Sequence, residues 1–177
     1  MMSKFTAVAA AMSLLACAAA QNAGEGGESE DAVADITVTN VDLRRLIGDD
    51  WSGALTYLNY SAPYEYFTIP AALEVKEAGE GINLSFIYPE EPDQNFSYDL
   101  AVSVDQKRIG DESVVYREET AEGELIIKTR FDCEDLGKAA ECRMTYAISP
   151  QAFSITKMVT YTGESEAFLR NEYKFTR

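Results

Sequence analysis

The side chains that do acid–base and nucleophilic work are unevenly supplied in this 177-residue chain, with 30 Asp and Glu, ten Tyr, three Cys and no His. Without His, Ser-His-Asp and Cys-His catalysis and His-ligated zinc are excluded, and no unperturbed side chain titrates near neutrality. Any proton transfer falls to carboxylates. They cluster at Asp49-Asp50, Glu90-Glu91-Asp93 and Asp132-Glu134-Asp135. A glycosidase needs two such groups facing each other across a cleft. Each cluster instead falls at the end of a predicted strand, where a solvated loop is the better reading, so no catalytic residue is expected. None matches the EF-hand calcium loop, and no metal or cofactor is expected. Tyrosine is more suggestive. Tyr57, Tyr60, Tyr64 and Tyr66 gather around one predicted turn, and with Trp51 they form the candidate ligand-binding set, amphipathic rings that would grip a small molecule. The plain alternative is ordinary strand composition, since Tyr suits a half-buried pleated surface.

The elements that must position these rings are mostly strands. Val41 to Ile47 reads as a short helix, capped by Thr39 or Asn40 and ended by Gly48 in a left-handed conformation. After Asp50 the apolar period is two. Phe96, Tyr98, Leu100, Val102 and Val104 alternate with polar or small residues, as do Ile82, Leu84, Phe86 and Tyr88, and Leu125, Ile127, Thr129 and Phe131. Further strands are expected at about 51–60, 67–77, 113–119, 141–149, 152–162 and 166–176. Turn signals separate them at Gly79-Glu80-Gly81, Pro89 to Asp93, Gly110-Asp111, Glu122-Gly123, Ser149-Pro150 and Thr162-Gly163. The expected fold is all-β, an antiparallel up-and-down meander of about nine strands, and closure into a barrel would remove its vulnerable edges.

The N-terminus speaks to location. Lys4 precedes an apolar run from Phe5 to Leu15 that is too short to cross a bilayer core needing about 20 residues, so it reads as a signal peptide. Leu14-Leu15-Ala16-Cys17 resembles a bacterial lipobox, which implies a signal over 1–16 and a lipidated Cys17. Cleavage after Ala18-Ala19-Ala20 is the alternative, with a signal over 1–20 and a soluble mature protein. Residues 17–35, rich in Gly, Ala and acids, read as a flexible tether, and 36–177 as one domain. An oxidising compartment would pair Cys133 with Cys142 across a hairpin as a structural staple. The net charge is −15, and loss of residues 1–16 would leave 14 basic and 30 acidic residues. That excess repels nucleic acid, which is excluded as a partner.

Gly48, Trp51 and Gly53, beside a short helix and ahead of a run of strands ending with Arg170 and Arg177, resemble the opening and closing of calycin barrels. These are the lipocalins and their bacterial lipocalin-like relatives. The resemblance implies a closed barrel, a late arginine over the Trp (Arg170 is the candidate) and structural roles for Gly48 and Gly53. Two residues separate Gly48 from Trp51 where the lipocalin pattern has one. The Trp51-Ser52-Gly53 order is closer to the haem-binding relatives, whose iron needs a His that this chain lacks. The function expected is that of an exported, lipid-anchored envelope protein of the periplasm or outer membrane. Its barrel would bind a small apolar or amphipathic ligand. The alternative is a non-catalytic structural or assembly factor of the envelope acting through a protein-binding surface.

Overall fold

The computed structural model describes residues 36–61 and 64–177, and the signal, lipobox cysteine and tether lie outside them. A five-residue helix, α1 (Asn40–Arg44), is followed by ten strands: β1 (Gly48–Asn59), β2 (Glu65–Ala78), β3 (Gly81–Ile87), β4 (Phe96–Leu100), β5 (Arg108–Ile109), β6 (Glu112–Glu119), β7 (Leu125–Asp135), β8 (Lys138–Ile148), β9 (Ala152–Tyr161) and β10 (Phe168–Thr176). All neighbours are antiparallel, in the spatial order β4-β3-β2-β1-β10-β9-β8-β7-β6-β5. The chain therefore meanders up and down, and β10 returns to lie beside β1.

The two ends of that order nearly meet. Val102 bridges Ile109, Gly110 N donates to the Ala101 carbonyl (2.8 Å), and Ser103 N donates to the Arg108 carbonyl (3.0 Å). Above this junction the wall is incomplete: among the described residues, the outer edge of β4 has no partner strand. The fold is thus an all-β, nearly closed up-and-down barrel. It has ten strands where nine were expected, because the chain turns back at 104–107. That turn also removes Val104 from the predicted alternation and leaves it fully exposed.

Alternation delivers the core. Trp51 and Leu55 from β1, Leu73 and Val75 from β2, Ile82, Leu84 and Phe86 from β3, Leu125 and Ile127 from β7, Tyr146 and Ile148 from β8, Phe153 and Ile155 from β9, and Tyr173 and Phe175 from β10 all point inward and are buried. α1 plugs one end, with Leu43 and Leu46 buried against the same core. Its N-terminus is held by Asp42, which accepts from the Thr39 backbone N (2.9 Å) and from Arg117 Nη2 of β6 (2.9 Å).

Three boundaries differ from the sequence reading. Gly48 is not left-handed: α1 ends through the right-handed Arg45, and Gly48 opens β1. A Cβ on Gly48 would stand 2.9 Å from Arg177 Nη1, so its role is to admit that guanidinium. β8 begins at Lys138 and not near 141, because the expected loop is a tight turn. Leu136 (φ 51°) and Gly137 (φ 74°) occupy its centre, both left-handed as such two-residue hairpin turns require.

The disulfide joins Cys133 on β7 to Cys142 on β8, whose Cα atoms are 5.8 Å apart. Cys142 sits opposite Phe131 and Cys133 opposite Ala140, so the bond runs diagonally across the hairpin on its inner face. Closing this short segment restricts the unfolded chain, and the double change Cys133→Ser, Cys142→Ser is expected to cost about 2–3 kcal/mol. A urea titration of oxidised and double-Ser proteins reads that loss as a lower midpoint. Equal midpoints would show that the hairpin holds without the bond.

Candidate functional site

The barrel is packed at one end and hollow at the other. At the packed end Trp51 is 1% exposed, donates Nε1–H to the Leu46 carbonyl (2.8 Å), and lies 6.2 Å from Phe153 between ring centroids. The guanidinium of Arg177 stacks 4.1 Å above its ring, and Arg177 also donates to the Pro150, Ile47 and Arg45 carbonyls. The arginine over the Trp is therefore Arg177 and not Arg170. Sequence order alone did not separate them, although Arg170 lies near the start of β10 and only Arg177 follows its end. Trp51 is a plug, sealed from any ligand.

At the other end a cavity of about 310 Å³ opens to solvent, lined by Leu55, Tyr57, Ile69, Tyr88, Phe96 and Asn171, with Glu91, Gln94 and Arg170 at its edge. A volume near 300 Å³ is at the small end of ligand-sized cavities. The Tyr57 ring stacks on Phe67 (6.3 Å), its register partner on β2. Phe96 stacks on Phe86 (4.8 Å), which touches Tyr173 (4.8 Å). The Tyr88 and Tyr173 hydroxyls are hydrogen-bonded to each other (2.7 Å) across the lumen. Burial pushes the hydroxyls of both upward, so both are neutral phenols.

The candidate rings separate. Tyr57 lines the cavity. Tyr66 is on the outer face and donates to the Leu169 carbonyl (2.8 Å), and Tyr64 is 72% exposed beyond the mouth. Tyr60 belongs to the rim. Its hydroxyl donates to Asp135, which also accepts from the Tyr161 hydroxyl (2.9 Å) and Arg170 Nε (3.1 Å), while Arg170 Nη1 donates to the Leu58 carbonyl (3.0 Å). Arg170 lies flat over the Tyr60 ring at 4.4 Å. This latch ties the β1, β7, β9 and β10 ends together around the mouth. It was missed because its four members are far apart in sequence, and nothing local marks Asp135 among its acidic neighbours.

The latch is acid-sensitive. Burial pushes the Asp135 carboxyl up, but the Tyr60 and Tyr161 hydroxyls and the Arg170 guanidinium outweigh that and hold it below the usual carboxylate range. A depressed carboxyl contributes stability that is complete above its unfolded value of about 3.9 and is lost as pH falls through the lower folded value. Asp135→Asn is expected to remove about 2–3 kcal/mol at neutral pH and less below pH 4. Urea midpoints of both proteins across pH 3–7 check this, and a constant difference would show that the charge is not what matters.

Deeper in the lumen lies a second polar group that the sequence did not reveal. Glu112 at the start of β6 accepts from the Thr129 hydroxyl (2.5 Å) and the Tyr146 hydroxyl (2.9 Å), both through Oε2. Burial pushes its carboxyl up, and these donors together with the nearby Lys157 draw it partly back. Tyr98 is pushed up to about 12, by burial first and then by the charge of Glu112. Tyr98 is 37% exposed as a residue, and its pairing with the buried Leu84 turns its ring to the inner face of the sheet. Its exposure follows from the unpartnered edge of β4. Among the described residues no group of three or more His, Cys, Asp or Glu converges to hold a metal ion.

Compared with known proteins, the chain matches no family model and no curated protein. The ten-stranded, nearly closed antiparallel barrel is compatible with a lipocalin-like fold, and its plugged end, with a short helix, Trp51 and Arg177, has the arrangement that the resemblance implied. A barrel hollow at one end is an architecture able to bind a small ligand.

Proposed function

We propose that this chain is an exported, lipid-anchored envelope protein that binds a small amphipathic ligand in the mouth of its barrel, without catalysing a reaction. The observation that carries the ligand reading is the cavity of about 310 Å³. Its lining combines the apolar Leu55, Ile69 and Phe96 and the ring of Tyr57 with polar groups on Asn171, Gln94, Glu91 and Arg170. Such a lining desolvates an apolar body and offers hydrogen bonds to a polar end. Export is supported by the Lys4 to Cys17 pattern, and by the inner-face disulfide, a bond that persists in oxidising compartments.

Native mass spectrometry of the full chain, expressed in a bacterium with its own signal, tests both parts. A mature N-terminus at Cys17 with added acyl mass supports anchoring, whereas a start at Gln21 supports a soluble form. A retained small molecule that is lost on Tyr57→Ala supports the mouth site. Retention unchanged by Tyr57→Ala would remove it.

A further inference from the structure

Three polar groups face the lumen from three different strands, and each keeps hydrogen-bonding capacity that no side chain takes up. Glu112 uses only Oε2 for its two hydrogen bonds, and Oε1 accepts none. No buried side-chain oxygen or nitrogen lacks a partner among the described residues, so Oε1 must be reachable by solvent. Lys157 falls on the same face of β9 as the buried Phe153, Ile155 and Val159, which aims it inward. Its Nζ lies 5.9 Å from the Phe131 ring centroid and makes no hydrogen bond or ion pair among the described residues. Tyr98 is opposite the buried Leu84, with its ring 5.9 Å from that of Phe86, and its hydroxyl has no hydrogen-bond partner.

These groups adjoin the mouth cavity. Tyr98 is two residues beyond Phe96, with ring centroids 6.2 Å apart, and Phe96 lines the cavity. Lys157 is the register partner of Asn171, which lines it too. Glu112 and Lys157 border the same stretch of lumen: Thr129, which donates to Glu112, and Lys157 both pair with Met144, from either side of β8. Yet the carboxylate and the ammonium do not form an ion pair, and Glu112 Oε1 accepts and Lys157 Nζ donates no hydrogen bond among the described residues. A charge partly withdrawn from water gains from a hydrogen-bonding partner, so a ligand that supplies one to Oε1 and one to Nζ gains from both.

We infer that Glu112, Lys157 and Tyr98 are the head-group subsite of the barrel, built for a zwitterion of the α-amino-acid type. The ligand's ammonium donates to Glu112 Oε1, its carboxylate accepts from Lys157 Nζ and the Tyr98 hydroxyl, and its apolar tail lies along Phe96, Tyr57 and Ile69 toward the mouth. This assignment rests on the ligand-binding reading above and adds the chemistry of the head.

Isothermal titration calorimetry at pH 7 with three probes of one chain length tests it: α-aminodecanoic acid, decanoic acid and decylamine. The full chain is expected to bind α-aminodecanoic acid at least tenfold more tightly than either singly charged probe. Glu112→Gln should reduce that affinity to the level of decanoic acid, and Lys157→Met to the level of decylamine. Tyr98→Phe, which keeps the ring, should weaken α-aminodecanoic acid severalfold and leave decylamine unchanged. Circular dichroism establishes that each variant is folded; should Glu112→Gln unfold, the other two carry the test. Equal binding of all three probes by the unaltered chain would overturn the head-group assignment and leave the cavity reading standing. Binding of none would overturn both.

Discussion

Replacing Trp51 with alanine is expected to lower the unfolding free energy by about 3–5 kcal/mol, the range for removing a fully buried large aromatic residue. Three losses combine. The ring fills the plugged end against Phe153, its N–H satisfies the Leu46 carbonyl that closes the turn after α1, and its face carries the Arg177 guanidinium. Without the ring, Arg177 keeps its carbonyl partners but loses the surface that orders it, and the turn after α1 loses one of its ties to the barrel. Trp51→Phe separates these contributions. It retains a ring for Arg177 and Phe153 but leaves the Leu46 carbonyl without its donor, and should cost about 1–2 kcal/mol. Urea unfolding followed by circular dichroism is the suitable measurement, because Trp51 is the chain's single Trp and fluorescence would vanish with it. A loss below about 1 kcal/mol for Trp51→Ala would mean that the plug is held by α1 alone.

Gly53→Ala is expected to be more severe than its one added methyl suggests. Gly53 lies where β1 crosses close over β10. A Cβ there would stand 2.8 Å from the Lys174 carbonyl carbon and 2.9 Å from Phe175 Cα, with the Lys174 oxygen nearer still. All three are backbone atoms, so no rotamer change relieves the clash. The strands would have to part along the β1–β10 pairing at the middle of the sheet, where Gly53 and Phe175 are register partners. Overpacking of this kind costs about 1–3 kcal/mol and more where the neighbour cannot yield, so a loss at or above the top of that range is expected. A thermal melt of Gly53→Ala beside Gly79→Ala checks it. The second glycine is left-handed with open space around it, and its substitution isolates backbone strain from collision. If both changes lower the melting temperature equally, the close approach is not what Gly53 provides.

Much of the barrel was legible because alternation is a local signal. Ile82, Leu84 and Phe86 could be assigned inward before any pairing was known, and they are buried. Register, closure and turns depended on more. Nothing in Phe96 to Val104 marks where β4 gives way to a hairpin, since that point is set by how the two ends of the sheet meet. The site was harder to read. Tyr57 and Tyr66 are the same residue type nine positions apart, yet one lines the lumen and the other its outside, because Tyr57 pairs with Phe67 while Tyr66 pairs with Leu58 on the opposite face of the pleat. Glu112 and Lys157 looked like two ordinary surface charges among many. Their inward placement depends on the strand phase of β6 and β9, and their neighbourhood on the whole barrel being assembled. Long-range clusters such as Asp135 with Tyr60, Tyr161 and Arg170 leave no local trace.

The unpaired outer edge of β4 has a colloidal consequence. A bare strand edge is a template on which a second molecule can add its own strand. Here the edge begins at Phe96, straight after Glu90, Glu91 and Asp93, and belongs to a molecule of net charge −15. At low ionic strength two such edges repel before they can dock. Salt shortens the reach of that repulsion to about 8 Å at physiological strength and about 3 Å at 1 M. The chain's acidity thus guards this open edge against self-association, and its protection weakens as the surrounding medium becomes saltier.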